Sequence, residues 1–234
     1  MGFASVLVLF AHPDDAEYTC GGTVARWAGE GTRVHYVCVT DGSAGSNEPG
    51  AMREAMRGVR EKEQRAAAEV LGVASVTFLG YVDGMLEASL DLRCDVTREV
   101  RRIRPDALVA PDPSRRWSRN GYVNHRDHMV VGEVGLSTVM PDAPTRLQFP
   151  ELLDEGFEPF EIPNLWLPTE EGETLVDITD TLELKLKSLA CHVSQGTAEN
   201  ADWVREHAAE LGRPGGMEYA EAFRAFRLVE DGEN

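Results

Sequence analysis

Basic residues are scarce in this 234-residue chain, with 23 Lys and Arg against 40 Asp and Glu. The resulting net charge of -17 disfavours nucleic acid or an anionic membrane as a partner. The four cysteines (Cys20, Cys38, Cys94 and Cys191) are scattered and make no C-x-x-C pair, which suits a reducing compartment rather than a disulfide framework. Long apolar runs are missing, and the N-terminal stretch Val6 to Ala11 is too short to span a membrane. No basic n-region or cleavage site surrounds that stretch, and Met1-Gly2 lacks the Ser or Thr at position 6 of a myristoylation site. A cytoplasmic protein is therefore expected. No G-x-G-x-x-G follows the first apolar run, which argues against a nucleotide-binding module. The signatures H-E-x-x-H and P-C-x-x-C are absent too, removing zincin peptidases and base deaminases.

What is present is an alternation of strand and helix patterns. Val6 to Ala11 is continuously apolar, as expected of a strand buried on both faces. Helix patterns follow at 16–29, from Met52 to Leu71 with Gly72 as its stop, and after a cap at Ser89 or Asp91, where Leu92, Val96, Val100 and Ile103 form one stripe. Strands are expected at Val34 to Thr40, Val76 to Leu79 and Ala107 to Ala110, and a further helix begins near His125. This βαβα order predicts an α/β fold, a Rossmann-like three-layer sandwich with a mostly parallel central sheet. A single domain over 1–234 is expected. Residues 1–140 would form the Rossmann-like core, and 141–234 would supply strands near Leu165 to Leu167, Leu175 to Ile178 and Tyr219 to Phe226, with helices at 180–192 and 199–211, completing the site.

Ligands of open parallel sheets bind beyond the carboxyl ends of the strands. Two clusters of metal-capable residues fall there: His12-Pro13-Asp14-Asp15-Ala16-Glu17 after the first strand, and Asn124-His125-Arg126-Asp127-His128 beyond the fourth. Acids at a helix N-terminus are individually ordinary, because the helix dipole stabilises them. A buried strand that leads straight into a histidine and three carboxylates is not, since adjacent carboxylates repel unless a cation or proton separates them. Catalytic zinc takes three protein ligands and leaves a position open for water, and the same two-His, one-carboxylate set suits Fe2+. His125 and His128 are three apart, so spacing leaves open which of them binds metal and which does acid–base work.

The pair of motifs, His12-Pro13-Asp14-Asp15-x-Glu17 and His125-x-Asp127-His128, resembles the PIG-L/LmbE-like de-N-acetylases, whose members act on N-acetylglucosaminyl-phosphatidylinositol, on mycothiol and bacillithiol precursors and on chitin-derived sugars. The resemblance covers most of the chain. Arg60-x-x-Glu63 resembles the second helix of the family, His192-x-Ser194-Gln195 a late helix, and Tyr219 to Phe223 the closing strand. Arg126 departs from the proline usual between the histidine and aspartate, a change that touches no ligand position. The resemblance implies zinc held by His12, Asp15 and His128, Asp14 as general base, and His125 as general acid oriented by Asp127. It implies hydrolysis of a linear amide C–N bond in an N-acetylated sugar or glycoside, and a homo-oligomer, the common state of its sugar deacetylases.

Further candidates are weaker. Arg60 and Asp83, near strand ends, could hydrogen-bond sugar hydroxyls, and Asp41 less readily because Asp-Gly is an ordinary turn signal. His192 could approach the oxyanion, although a helix-face histidine is more often structural. Arg115, Arg116, Arg119 and Arg126 crowd one loop of an acidic protein, and Arg116 and Arg119 could recognise a phosphate or carboxylate on the substrate. The rival readings are a two-metal phosphoesterase, which needs more bridging acids, a Rossmann-type binding module without catalysis, and a metal-binding protein that has lost catalysis.

Overall fold

The computed structural model describes residues 2–117 and 121–229. Its centre is one seven-stranded sheet in the order β3-β2-β1-β4-β5-β7-β6. The strands are β1 (Ser5–Phe10), β2 (Arg33–Thr40), β3 (Ser75–Tyr81), β4 (Ala107–Val109), β5 (Asn164–Pro168), β6 (Thr174–Asp177) and β7 (Ala220–Arg227). The first five run parallel, whereas β7 is antiparallel to both β5 and β6. The expected α/β architecture with a mostly parallel sheet is therefore the one observed, with the reversed β7 as an addition that hydrophobic pattern alone does not encode.

Every residue of β1 is buried, because alternate side chains feed opposite faces of the sheet. Leu7 and Leu9 pack with Val96 and Val100 of α3 (Leu90–Ile103) and with Val131 and Val134 of α4 (Arg126–Ser137). Val6, Val8 and Phe10 pack on the other side with Val24 and Trp27 of α1 (Asp15–Gly29) and Leu71 of α2 (Arg53–Leu71). Helices on both faces make the three layers. The later helices α6 (Leu182–Leu189) and α7 (Ala201–Gly212) join the layer of α1, and a short α5 spans Glu151–Asp154.

Local signals set the boundaries. Ser89 caps α3 by accepting the Leu92 N–H at 3.2 Å. Gly72 ends α2 in the left-handed conformation at φ 76°. The expected helix at 180–192 is shorter, ending at Leu189 and followed by a tight turn at Val193–Gln195.

The chain runs outward from β1 to β2 and β3, then returns to place β4 on the other side of β1. The reversal opens a crevice beyond the carboxyl ends of β1 and β4, and both sequence clusters lie at it. Gly132 lets α4 close on the loop after β4, since a Cβ there would lie 2.5 Å from the Pro111 carbonyl oxygen and 2.9 Å from Pro113 N. Gly132→Ala must displace backbone and is expected to destabilise the fold by about 1–3 kcal/mol in urea denaturation. Stability equal to the parent would mean that α4 does not need this close approach.

Candidate active site

His12 leaves β1 and lies 7% exposed at the floor of the crevice. Its backbone N–H donates to Asp15 Oδ2 at 2.7 Å, which folds the turn His12–Asp15 back on itself. Its ring is engaged at both nitrogens. Nδ1 lies 3.2 Å from His128 Nε2 and 3.4 Å from Asp15 Oδ2, while Nε2 lies 3.2 Å from Asp127 Oδ2 and 3.3 Å from Asp83 Oδ1. His128 Nε2 in turn lies 3.1 Å from Asp15 Oδ1. One ligand atom each from His12, Asp15 and His128 therefore falls within 4.8 Å of the others.

A neutral imidazole has one donor nitrogen and one acceptor nitrogen. With Nε2–H given to Asp127 and Asp83, the Nδ1 lone pair faces a carboxylate and a second imidazole, an arrangement that needs a cation between them. Burial alone would lower the His12 pKa, but Asp15, Asp127 and Asp83 overrule it and push it up to about 12. Burial likewise opposes charge on Asp15, yet His128 and His12 hold its carboxyl well below the usual range. The pocket is built for positive charge, and its His, Asp, His donor set fits a catalytic zinc or Fe2+.

A second group, His12, Asp83, His125 and Asp127, also lies within 4.8 Å. Its carboxylates are already committed: Asp127 accepts from Gly84 N at 2.8 Å and Leu86 N at 3.3 Å, and Asp83 accepts from Ala44 N at 3.0 Å. These acids act as the outer partners that fix the His12 tautomer. Asn124 plays the same part for His128, its Oδ1 lying 2.9 Å from Nδ1.

Asp127 faces two rings. Its carboxylate lies 3.2 Å from His12 Nε2 and 3.9 Å from His125 Nδ1, and its backbone N–H donates to His125 Nδ1 at 3.2 Å. That contact makes His125 the cap of α4 and leaves Nε2 as the proton-bearing nitrogen of a neutral, half-exposed ring. Burial and the neighbouring His12 lower the pKa of His125. The His12 and His125 rings meet edge-on with centroids 4.6 Å apart.

Asp14 sits at the start of α1 with φ 104°, a left-handed conformation rare for an aspartate, and its side chain does not cap the helix. Its N–H is held by Gln64 Oε1 at 2.9 Å and its Oδ2 lies 3.3 Å from Arg60 Nη2. Burial, then the charge of Asp15, raises the Asp14 pKa to about 7, while Arg60 and His192 pull the other way.

The remaining candidates are placed as follows. Arg60 is buried rather than an exposed helix charge, and its guanidinium donates to the carbonyls of Pro13 and Gly42 and pairs with Asp83. Asp41 accepts from Ser43 N at 3.0 Å and Asp83 N at 3.2 Å, holding the turn that carries Asp83. His192 is fully buried behind Asp14, with Nε2 3.3 Å from Glu17 Oε2, and Glu17 accepts from Gln64 at 2.9 Å. Arg115 is paired with Glu170 at 2.5 Å, whereas Arg116 is exposed, its guanidinium 3.8 Å from Met129 Sδ. Arg119 lies outside the described residues. Gln64, Asn124 and Glu17 were not singled out for these roles, because nothing local marks a residue whose partner arrives from another element.

Fold and site define a class: a doubly wound α/β protein with a His/Asp constellation that could hold a metal ion, placed where the chain reverses direction across the sheet. Residues 7–139 match the PIG-L family, described as GlcNAc-PI de-N-acetylase, and the chain belongs to that family. It is 29% identical over 224 residues to the diacetylchitobiose deacetylase of Thermococcus kodakarensis, covering 94% of this chain and 82% of the relative. The probable N-acetyl-alpha-D-glucosaminyl L-malate deacetylase 2 of Bacillus anthracis is 28% identical, with 86% of each chain covered. Among solved structures, the N,N'-diacetylchitobiose deacetylase from Pyrococcus horikoshii superposes with a TM-score of 0.88 at 32% identity, covering 96% of this chain and 84% of that one.

Asn124→Ala removes the partner that orients His128. Metal affinity, read by competition with a chelator, is expected to fall about 10–100-fold. An unchanged affinity would show that His128 is oriented without it.

Proposed function

We propose that this protein is a zinc-dependent deacetylase that removes the N-acetyl group from an N-acetylglucosamine-type sugar or glycoconjugate, giving acetate and a free amine. The observation that carries the proposal is the convergence of His12 Nδ1, Asp15 and His128 Nε2 beside a carboxylate, Asp14, whose pKa stands near neutrality. The family supports the same chemistry.

His12, Asp15 and His128 would hold the metal. When bound, zinc polarises the acetamide carbonyl and lowers the pKa of a coordinated water towards about 7. Asp14 accepts the proton of the attacking water. It is suited to that task because burial keeps it basic while Arg60, donating to its Oδ2, keeps it from being protonated outright. His125 is held by the Asp127 N–H at Nδ1, so Nε2 is the atom that carries the proton. That neutral ring would give its Nε2–H as a hydrogen bond to the oxygen on which negative charge develops, and the proton taken up by Asp14 would pass to the departing amine, a poor leaving group unless protonated. Asp127 would orient His125 through its backbone N–H in the first turn of α4, with its carboxylate 3.9 Å from the same Nδ1.

The phosphoesterase alternative needs two metals. The acids that could hold a second one are occupied by backbone N–H groups and by His12 Nε2, so one metal per chain is expected from elemental analysis. Two per chain, or no acetate from any N-acetyl sugar, would overturn the proposal.

Asp14→Asn should retain metal and lower turnover about 10²–10⁴-fold, and His128→Ala should lose both. Turnover in Asp14→Asn close to the parent would remove Asp14 as the base.

The pH dependence has a defined sign. Asp14 works deprotonated, so kcat/KM rises with pH through its titration, and the Arg60 charge lowers that pKa. In Arg60→Met the acid limb of the profile should move to higher pH, whereas Arg60→Lys should restore it. A limb that stays in place in folded Arg60→Met would mean another group titrates there.

A further inference from the structure

The crevice continues past the metal-binding residues. A cavity of about 70 Å³ lies against Asp15, Asn124 and His128, and a larger one of about 140 Å³ lies beside it, the two sharing Thr19, Arg115 and Pro168 as common walls. The larger cavity is a half-open cleft bounded by α1, α6, α7, the start of β7 and the loop after β5, on the sheet edge that carries His12, Asp15 and His128. Its size suits one six-membered ring, since a cavity of about 150 Å³ takes up benzene.

The chemistry of its walls selects the kind of ring. Trp203 is 53% exposed and stacks on His207, one turn along α7, with centroids 5.2 Å apart and planes 5° apart. Leu211 and Pro168 extend the apolar wall. The polar groups have hydrogen-bonding capacity to spare. The Tyr18 hydroxyl accepts from Asn200 Nδ2 at 2.7 Å and keeps its own proton, and His207 makes no hydrogen bond among the described residues. Burial lowers the His207 pKa, leaving a neutral ring with one donor and one acceptor.

Charge is balanced throughout. Arg115 is neutralised by Glu170, and the Lys185–Glu221 pair at the floor is closed at 2.6 Å, Glu221 also accepting from Gly22 N and Thr23 N. An anion finds no spare positive charge here, and a purely apolar ligand would strand Tyr18 and His207 without partners. A neutral ring with one C–H face and a rim of hydroxyls satisfies both walls, and a pyranose is such a ring. The cavity is also tied to the reaction centre: Asn124 donates to the Arg115 carbonyl at 2.7 Å through Nδ2 while its Oδ1 holds His128.

We infer that this cavity is a second carbohydrate subsite, which holds a neighbouring pyranose of the substrate against Trp203 while the acetamide reacts at the His12–Asp15–His128 centre. The inference rests on the deacetylase reading and makes the protein one that favours glycosides over free N-acetylglucosamine.

The test compares N,N'-diacetylchitobiose with N-acetylglucosamine. The ratio of their kcat/KM values should exceed one in the parent and fall roughly five- to tenfold in Trp203→Ala, the size of a lost aromatic packing interaction. Trp203→Phe, which keeps a ring, should hold the ratio within about twofold of the parent. A ratio unchanged in Trp203→Ala overturns the subsite. A second readout does not depend on turnover: cellobiose, a neutral disaccharide with no acetamide to hydrolyse, is titrated against tryptophan fluorescence. A saturable change that disappears in Trp203→Ala supports the subsite even if no acetate is released from either sugar, an outcome that would sink the deacetylase reading alone. No saturable change, or the same change in Trp203→Ala, overturns it.

Discussion

His12 is held at both ring nitrogens, and the site is organised around that fact. One nitrogen faces Asp15 and His128, the other Asp83 and Asp127. No neutral imidazole can satisfy acidic partners on both sides, so the arrangement is stable only with a positive charge on or beside the ring. The ring cannot swing away to relieve the conflict, because it emerges from the fully buried β1 and its own backbone N–H is tied to Asp15. The hydrophobic core thus fixes where the cation demand arises. The partners come from three other places: the turn after β1, the loop after β3 and the start of α4.

Arg60 is what allows so many acids to share this small volume. From α2 it reaches the Pro13 carbonyl after β1, the Gly42 carbonyl after β2 and Asp83 after β3, tying together three loops that only sheet order brings side by side. Gly42 has φ 62° and a Cβ there would lie 3.0 Å from the Arg60 side chain, so the glycine serves both the turn and the clamp. Asp127 performs the matching task across the crevice. By accepting from Gly84 N and Leu86 N it fastens the loop after β3 to the start of α4, joining the two halves of the sheet edge at the His12 ring.

The layers and the two clusters that meet at the crevice were largely legible in the sequence, because both are written locally. Strand β1 shows as an unbroken apolar run, α3 as a stripe with a serine cap, and the clusters as two short motifs that each follow a strand. What could not be read has a common physical cause, dependence on a contact between distant segments. Arg60 looks like any helix arginine until the turn at Gly42 closes over it. His192 has the spacing of a helix-face residue, yet it lies in the turn beyond α6 and is buried on Glu17, more than 170 positions away along the chain, with Gln64 bridging to Asp14. Asp127, two residues beyond His125, also reaches His12, a contact that exists only because the start of α4 packs against the end of β1. The direction of β7 is likewise set by pairing with β5 and β6, since an alternating pattern has no polarity of its own.

The same division separates reaction from recognition. The β1–β2–β3 half of the sheet edge carries the charged groups, Asp14, Arg60 and Asp83, whose mutual electrostatics leave little freedom of choice at any one position. The β4–β5–β7 half carries cavities whose walls come from α1, α7 and single loop residues, with their charges cancelled in pairs. A wall of that kind can exchange one aromatic or hydroxyl group for another without disturbing the demand for a cation at His12, so substrate preference can drift while the reaction stays fixed. Under the proposed reading the reaction is carried by two short motifs, whereas the walls of the larger cavity, Tyr18 from α1 and Trp203 and His207 from α7, meet only in the folded chain.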